Sequence, residues 1–134
     1  MRFPIAVLKP YDPIIYVYSC ENDFRKTSEE ILKQNPWDKC KIIDSNGEQY
    51  SVLNVKKIRS RGIYGWHPLL KGKSILIEFK FSEGEKVDID TFKKNIICRF
   101  EKDNNFWKAT WSINELKNTV TTAKNFKELI LLFQ

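Results

Sequence analysis

The residues that could do chemistry are few, and most lie in one stretch. His67 is the single histidine, so paired-histidine acid–base chemistry is excluded, and any Ser/His/Asp or Cys/His triad would have to be built on it. It stands in a loop as His67-Pro68 and reads as a histidine that hydrogen-bonds or stacks locally. The cysteines, Cys20, Cys40 and Cys98, are odd in number and widely spaced. They fit neither a disulfide framework nor a zinc set, and are expected to be reduced and mostly buried. Asp88 and Asp90 are read more simply as helix caps than as metal ligands. The Walker spacing is absent, because Lys73-Ser74 lacks the glycine pattern before it and opens a strand. These residue types predict no enzyme, cofactor or metal.

What remains is chemistry of recognition. Arg59, Arg61, Tyr64, Trp66 and His67 interleave basic and large aromatic side chains within one Gly-rich segment. Arg, Tyr and Trp dominate binding hot spots, and Arg adds bidentate bonds to carboxylate or phosphate. Two readings stay open for this loop. In one, Tyr64 and Trp66 fold back onto the core and the arginines are solvated; in the other, all five residues bind a partner. Net charge is +6, and much of it lies in Lys56, Lys57, Arg59, Arg61, Lys71 and Lys73, a run without Asp or Glu. Such a field favours an anionic partner. Single-stranded nucleic acid also suits the loop, since bases stack on aromatics while arginines track phosphates. However, 17 acidic residues and the lack of any RRM, KH or cold-shock signature weigh against it.

The elements that must position this loop follow from periodicity. Residues 4–8 and 14–18 are short β-rich runs separated by a gap holding Pro10 and Pro13. Residues 19–35 read as a helix ended by Pro36, with Phe24, Ser28, Ile31 and Leu32 on one face. Residues 39–43 form a strand, and Asp44-Ser45-Asn46-Gly47 is a hairpin turn. Residues 48–58 return, with Tyr50 and Val52 on one face and Leu53 and Val55 on the other. After the loop of residues 59–72, Ile75, Ile77, Phe79 and Phe81 alternate along a strand over residues 73–81.

Three helical patterns follow. The first is capped by Asp88 or Asp90 and carries Phe92, Ile96, Ile97 and Phe100. The second opens on Ser112-Ile113-Asn114-Glu115, with capping-box spacing. The third opens on Asn125 and carries Phe126, Leu129, Ile130 and Phe133, with Leu131 and Leu132 widening its apolar face. That width predicts burial on most sides or an attachment surface, burial being favoured. Between the first two, residues 106–111 form an aromatic connector with the character of a short strand.

The fold expected is a single α+β domain over residues 1–134. It has a mainly antiparallel sheet of about five strands packed with about four helices. A chain of 134 residues buries about two thirds of its unfolded surface, enough for one core. Its opening apolar stretch is too short for a signal peptide, and no apolar run approaches the ~20 residues that span a bilayer. The cytoplasm, with no membrane contact, is therefore expected.

The layout resembles the heterogeneous small immunity proteins of bacterial polymorphic toxin systems, including those of contact-dependent growth inhibition. The resemblance is carried by the Pro4-Ile5-Ala6-Val7-Leu8 opening, the strand ending Tyr16-Val17-Tyr18 and the Ser/Glu-rich segment after it. The strand–turn–strand around Asp44-Ser45-Asn46-Gly47, the Phe92-Lys93-Lys94 helix and Asn125-Phe126-Lys127-Glu128-Leu129-Ile130 complete it. It implies a protein that binds and neutralises the C-terminal domain of a cognate toxin in the producing cell. The basic charge departs from the acidic character common among inhibitors of basic nucleases. The toxin face would then be acidic, or the contact would avoid the substrate cleft.

Overall fold

The computed structural model describes residues 1–10, 12–34, 37–60 and 74–134, and of 28–30, 59–60 and 74 the backbone alone. Among them the chain runs β1 (Ile5–Leu8), β2 (Ile15–Tyr18), α1 (Glu21–Phe24), β3 (Lys26–Ser28), α2 (Glu29–Lys33), β4 (Lys41–Asp44) and β5 (Glu48–Ser60). β6 (Ser74–Phe81), β7 (Glu85–Lys86), α3 (Ile89–Lys102), α4 (Asn104–Trp107), α5 (Ile113–Thr122) and α6 (Phe126–Leu131) follow. The α+β class is as expected. Among the described residues the sheet is larger than expected, with seven strands ordered β2-β1-β4-β5-β6-β3 and β7 paired to β5, and six helices are present rather than about four. Every pairing is antiparallel.

Strand alternation sends side chains to both faces of this sheet, and each face has its own core. Ala6, Ile15 and Ile43 meet Phe92, Ile96 and Phe100 of α3, Leu116 and Val120 of α5, and Leu129 and Ile130 of α6. Ile5, Val7, Ile42, Ile75 and Ile77 point the other way, onto Phe24, Trp37 and Cys40. The sheet curls around this second core. β5 is long enough for its first half to pair with β4 and its second half with β6.

The helix expected over residues 19–35 is not formed as one element. A single turn, α1, delivers Phe24 to the core, where it stacks on Phe79 at 4.3 Å and 6°. The chain then extends as β3 and pairs Lys26, Thr27 and Ser28 with Leu76, Ile75 and Ser74. Long-range pairing wins over local helix propensity, as the thin apolar stripe permits.

The face assignment in β5 is also corrected. A register shift between Val52 and Asn54 leaves Leu53 outside, 60% exposed. Val55 thereby rejoins Tyr50 and Val52 on the inner face. One extra residue in a strand restores parity in this way.

The Asn-Gly turn is as read: Gly47 has φ +80°, and Gly47 N–H donates to Asp44 O at 3.0 Å. Asp88 caps α3 by accepting from Thr91 N–H, and Asn125 caps α6 by accepting from Glu128 N–H. Ser112 precedes α5 without a side-chain cap bond. Residues 106–111 are not a strand, since Phe106 and Trp107 end the helical turn α4. Of the thiols only Cys40 is buried; Cys20 and Cys98 are exposed. Among the described residues no helix is long and apolar enough to cross a membrane.

Candidate protein-binding site

The C-terminal helices cover one sheet face incompletely. α4 is one turn long and α6 six residues, so apolar side chains at their ends outrun the core available to them. Trp107 is drawn in, meeting the ring of Phe100 edge-on at 4.8 Å and that of Phe133 at 6.0 Å. Among the described residues its buried Nε1–H has no hydrogen-bond acceptor. Its neighbour Phe106 stands perpendicular to it at 5.2 Å and is 45% exposed. Trp111, one helical turn further on, is 50% exposed.

These side chains wall a groove of about 270 Å³ between the end of α6, the α4–α5 connector and the approach to β2. Four of the nine large apolar side chains exposed among the described residues, Ile14, Phe106, Trp111 and Leu132, line it. Ile15, Trp107, Leu116 and Phe133 complete the apolar lining, and the polar lining comes from Thr110 and Gln134. Gln134 is held by Nε2 donating to Ser19 Oγ at 2.8 Å. Among the described residues no ionisable side chain lines the groove.

The rim at Ile14 is set by a polar strap. The Arg99 guanidinium of α3 donates to Lys9 O at 3.1 Å and to Asp12 O. The Asp12 carboxylate accepts from Ile14 N–H at 2.9 Å and from the Tyr16 hydroxyl at 2.6 Å, and the Lys9 ammonium lies 4.2 Å over the Tyr16 ring. Burial works against the Asp12 carboxylate. The bonds from Tyr16 and Ile14 and the charges of Lys9 and Arg99 outweigh it and hold its pKa below the ordinary value. The bond to Asp12, with burial, pushes the Tyr16 phenol up to about 12, and burial lowers that of Arg99. This cluster holds the backbone at Lys9, Asp12 and Ile14. Among the described residues no group of three or more His, Cys, Asp or Glu is placed to hold a metal ion.

Of the loop residues singled out from the sequence, Arg61, Tyr64, Trp66 and His67 lie outside the described residues, as do Lys71 and Lys73. Arg59 is described by its backbone, opposite Leu76 near the end of β5. The basic run is not uncompensated: Lys56 pairs across the strands with Glu78 at 3.1 Å. The groove residues Ile14, Phe106, Trp111 and Leu132 are not singled out by sequence as a site. Their signal is the surplus of apolar side chains at residues 106–111 and 131–132, more than short helices can bury. The favoured burial of the last helix holds for Leu129 and Ile130, which are fully buried, while Leu131 and Leu132 are 39% and 38% exposed.

No family model matches the chain, and no solved structure matches it. Among curated proteins it is similar to the tRNA modification GTPase MnmE of Prochlorococcus marinus. It is 32% identical to that of strain MIT 9312 over 87 residues, 65% of this chain, and equally so to that of strain MIT 9301. To the protein of strain AS9601 it is 25% identical over 123 residues, 92% of this chain. The chain spans 17% to 25% of the length of these relatives.

Proposed function

We propose that this chain is an immunity protein. It binds the C-terminal toxin domain of a cognate bacterial polymorphic, contact-dependent inhibition toxin and neutralises it as a tight protein–protein complex in the cytoplasm of the producing cell. The observation that carries this reading is the uncharged aromatic groove, where exposed large apolar side chains gather at one rim. Contiguous apolar surface of this kind marks contact sites, and Trp and Phe anchors around a pocket suit a hot spot. The basic loop of Arg59, Arg61, Tyr64, Trp66 and His67 is the proposed second part of the interface, steering an acidic toxin face.

The test is co-expression with the toxic C-terminal domain encoded beside this gene. Growth is expected to be restored by the natural chain, and to fail with Trp111→Glu, whose fold is checked by circular dichroism. Continued killing with the natural chain refutes the proposal.

A second reading follows from the relatives, whose name gives them a role in tRNA modification. On that reading the basic chain is an RNA-contacting domain, which carries no Walker phosphate loop in its sequence. It requires retention on tRNA at low salt that falls steeply as salt rises, through counterion release. No retention removes it.

A further inference from the structure

β3 covers only part of the edge of β6. Their ladder ends at Leu76 opposite Lys26. One more contact follows, with Ile77 N–H donating to Arg25 O at 3.1 Å and Arg25 Nε donating to Ile77 O at 3.0 Å. There the neighbouring chain turns away into α1, while β6 runs on to Phe81. Ile77 thus directs both backbone groups away from β5. Backbone groups alternate in direction along a strand, so those of Phe79 and Phe81 point the same way as those of Ile77. Ser82, of opposite parity, confirms the phase: its N–H donates to Ser51 O on the β5 side at 2.9 Å. Among the described residues no backbone group pairs with Phe79 or Phe81 on the outer side.

Along the same edge lies a groove of about 270 Å³ walled by Phe3, Phe24, Phe79 and Phe81, with Glu21 and Glu78 at its rim. Two N–H and two C=O groups spaced along an extended strand call for an extended backbone; a helix satisfies its own backbone groups and has none to offer. In an antiparallel pair, directly opposed residues project to the same face. A residue set opposite Phe79 or Phe81 therefore drops its side chain into the aromatic groove, while its neighbours face solvent beside Glu78 and Lys80.

We propose that residues 78–81 of β6 accept an extended segment of a partner protein as an added strand, anchored by one apolar side chain packed against the rings of Phe24, Phe79 and Phe81 in the groove. This continues on β6 the line that β3 begins. It rests on the reading of the chain as a protein-binding module, and not on the partner being a toxin.

The test is amide hydrogen exchange on the full chain, alone and with a phage-selected peptide from a library alternating apolar and polar residues. In the free chain the Phe79 and Phe81 amides exchange fast, while that of Lys80, facing β5, is protected. A selected peptide at about 100 times its Kd slows exchange at Phe79 and Phe81 about a hundredfold. Methylating the peptide's alternate backbone nitrogens abolishes binding. Protection of the two amides in the free chain would mean that a segment of this chain already fills the edge, and overturns the proposal. So does a library that yields no binder, or a binder that leaves both amides unchanged. Strand binding without growth rescue refutes the toxin reading alone; rescue by a toxin complex in which both amides still exchange freely refutes the added strand alone.

Discussion

Asp44 is a fully buried carboxylate whose two oxygens do different work. Oδ1 accepts from Asn46 N–H at 2.9 Å and from Glu48 N–H at 3.0 Å, closing the hairpin turn; Oδ2 accepts from Arg2 N–H at 2.9 Å, fastening the chain ahead of β1. Ser45 reinforces the second contact, with its N–H and hydroxyl donating to Arg2 O at 3.0 Å. Asp44→Asn keeps an oxygen for the turn but turns an NH2 group toward Arg2 N–H. One charged hydrogen bond is lost, at a cost of about 1.5–3 kcal/mol. Asp44→Ala strands all three donors. Because they are only partly buried, water recovers some of the loss, and the expected cost is about 3–5 kcal/mol. Urea unfolding measures both, as a drop in midpoint at constant slope. Equal costs for the two variants, or a cost below about 1 kcal/mol for alanine, would refute the division of labour between the oxygens.

The same turn supports α6. A Cβ on Gly47 would run into the Phe126 ring, at a backbone φ of +80°, so Gly47→Ala is expected to cost about 1–3 kcal/mol, read by thermal melts. Tyr16 and Tyr50 both titrate near about 12, Tyr16 through its bond to Asp12 and Tyr50 through burial and its bond to Glu48. Their folded pKa values lie above the unfolded value, so their contribution is intact below about pH 10 and is lost as pH rises toward 12. Burial raises Tyr18 as well, so ultraviolet titration should show late phenols for all three, and Tyr16→Phe should remove one. Trp111→Ala and Phe106→Ala should leave stability within about 0.5 kcal/mol. Each should weaken the partner complex by about 2 kcal/mol or more in calorimetry; an unchanged Kd for both places the interface elsewhere.

Local signals were legible in the sequence and long-range ones were not. Asn46-Gly47, Asp88 and Asn125 act within three residues of themselves, and each does what its chemistry demands. The alternation of Ile75, Ile77, Phe79 and Phe81 is equally local, and it sends Ile75 and Ile77 into the core with Phe79 and Phe81 packed against them. By contrast, Lys26–Ser28 is a strand because Leu76, Ile75 and Ser74 lie beside it, a fact no window around residue 27 contains. The bulge at Leu53 is of the same kind. Nothing in Val52-Leu53-Asn54 announces an extra residue, yet it reverses the parity of the residues after it until a second shift between Lys57 and Arg59, so the face of Val55 counted from Tyr50 comes out wrong.

The two proposed binding surfaces have one origin in this folding problem. The sheet has two faces and must cover both, but its helices are unequally distributed. α3, α5 and α6 crowd one face, and their ends, with the single-turn α4, leave Phe106, Trp111 and Leu132 around an uncharged groove. Among the described residues the other face is covered by the short α1 and α2 with Phe3, Trp37 and Cys40, and the curl of the sheet helps to close the core. The pairing of β3 with β6 stops where Arg25 leaves Ile77, so the outer backbone of Phe79 and Phe81, unpaired among the described residues, adjoins aromatic rings rather than water alone. A longer β3 would seal the edge and remove the second surface, and a longer α6 would remove the first. A partner engaging both would therefore read the places where the described residues leave the sheet uncovered.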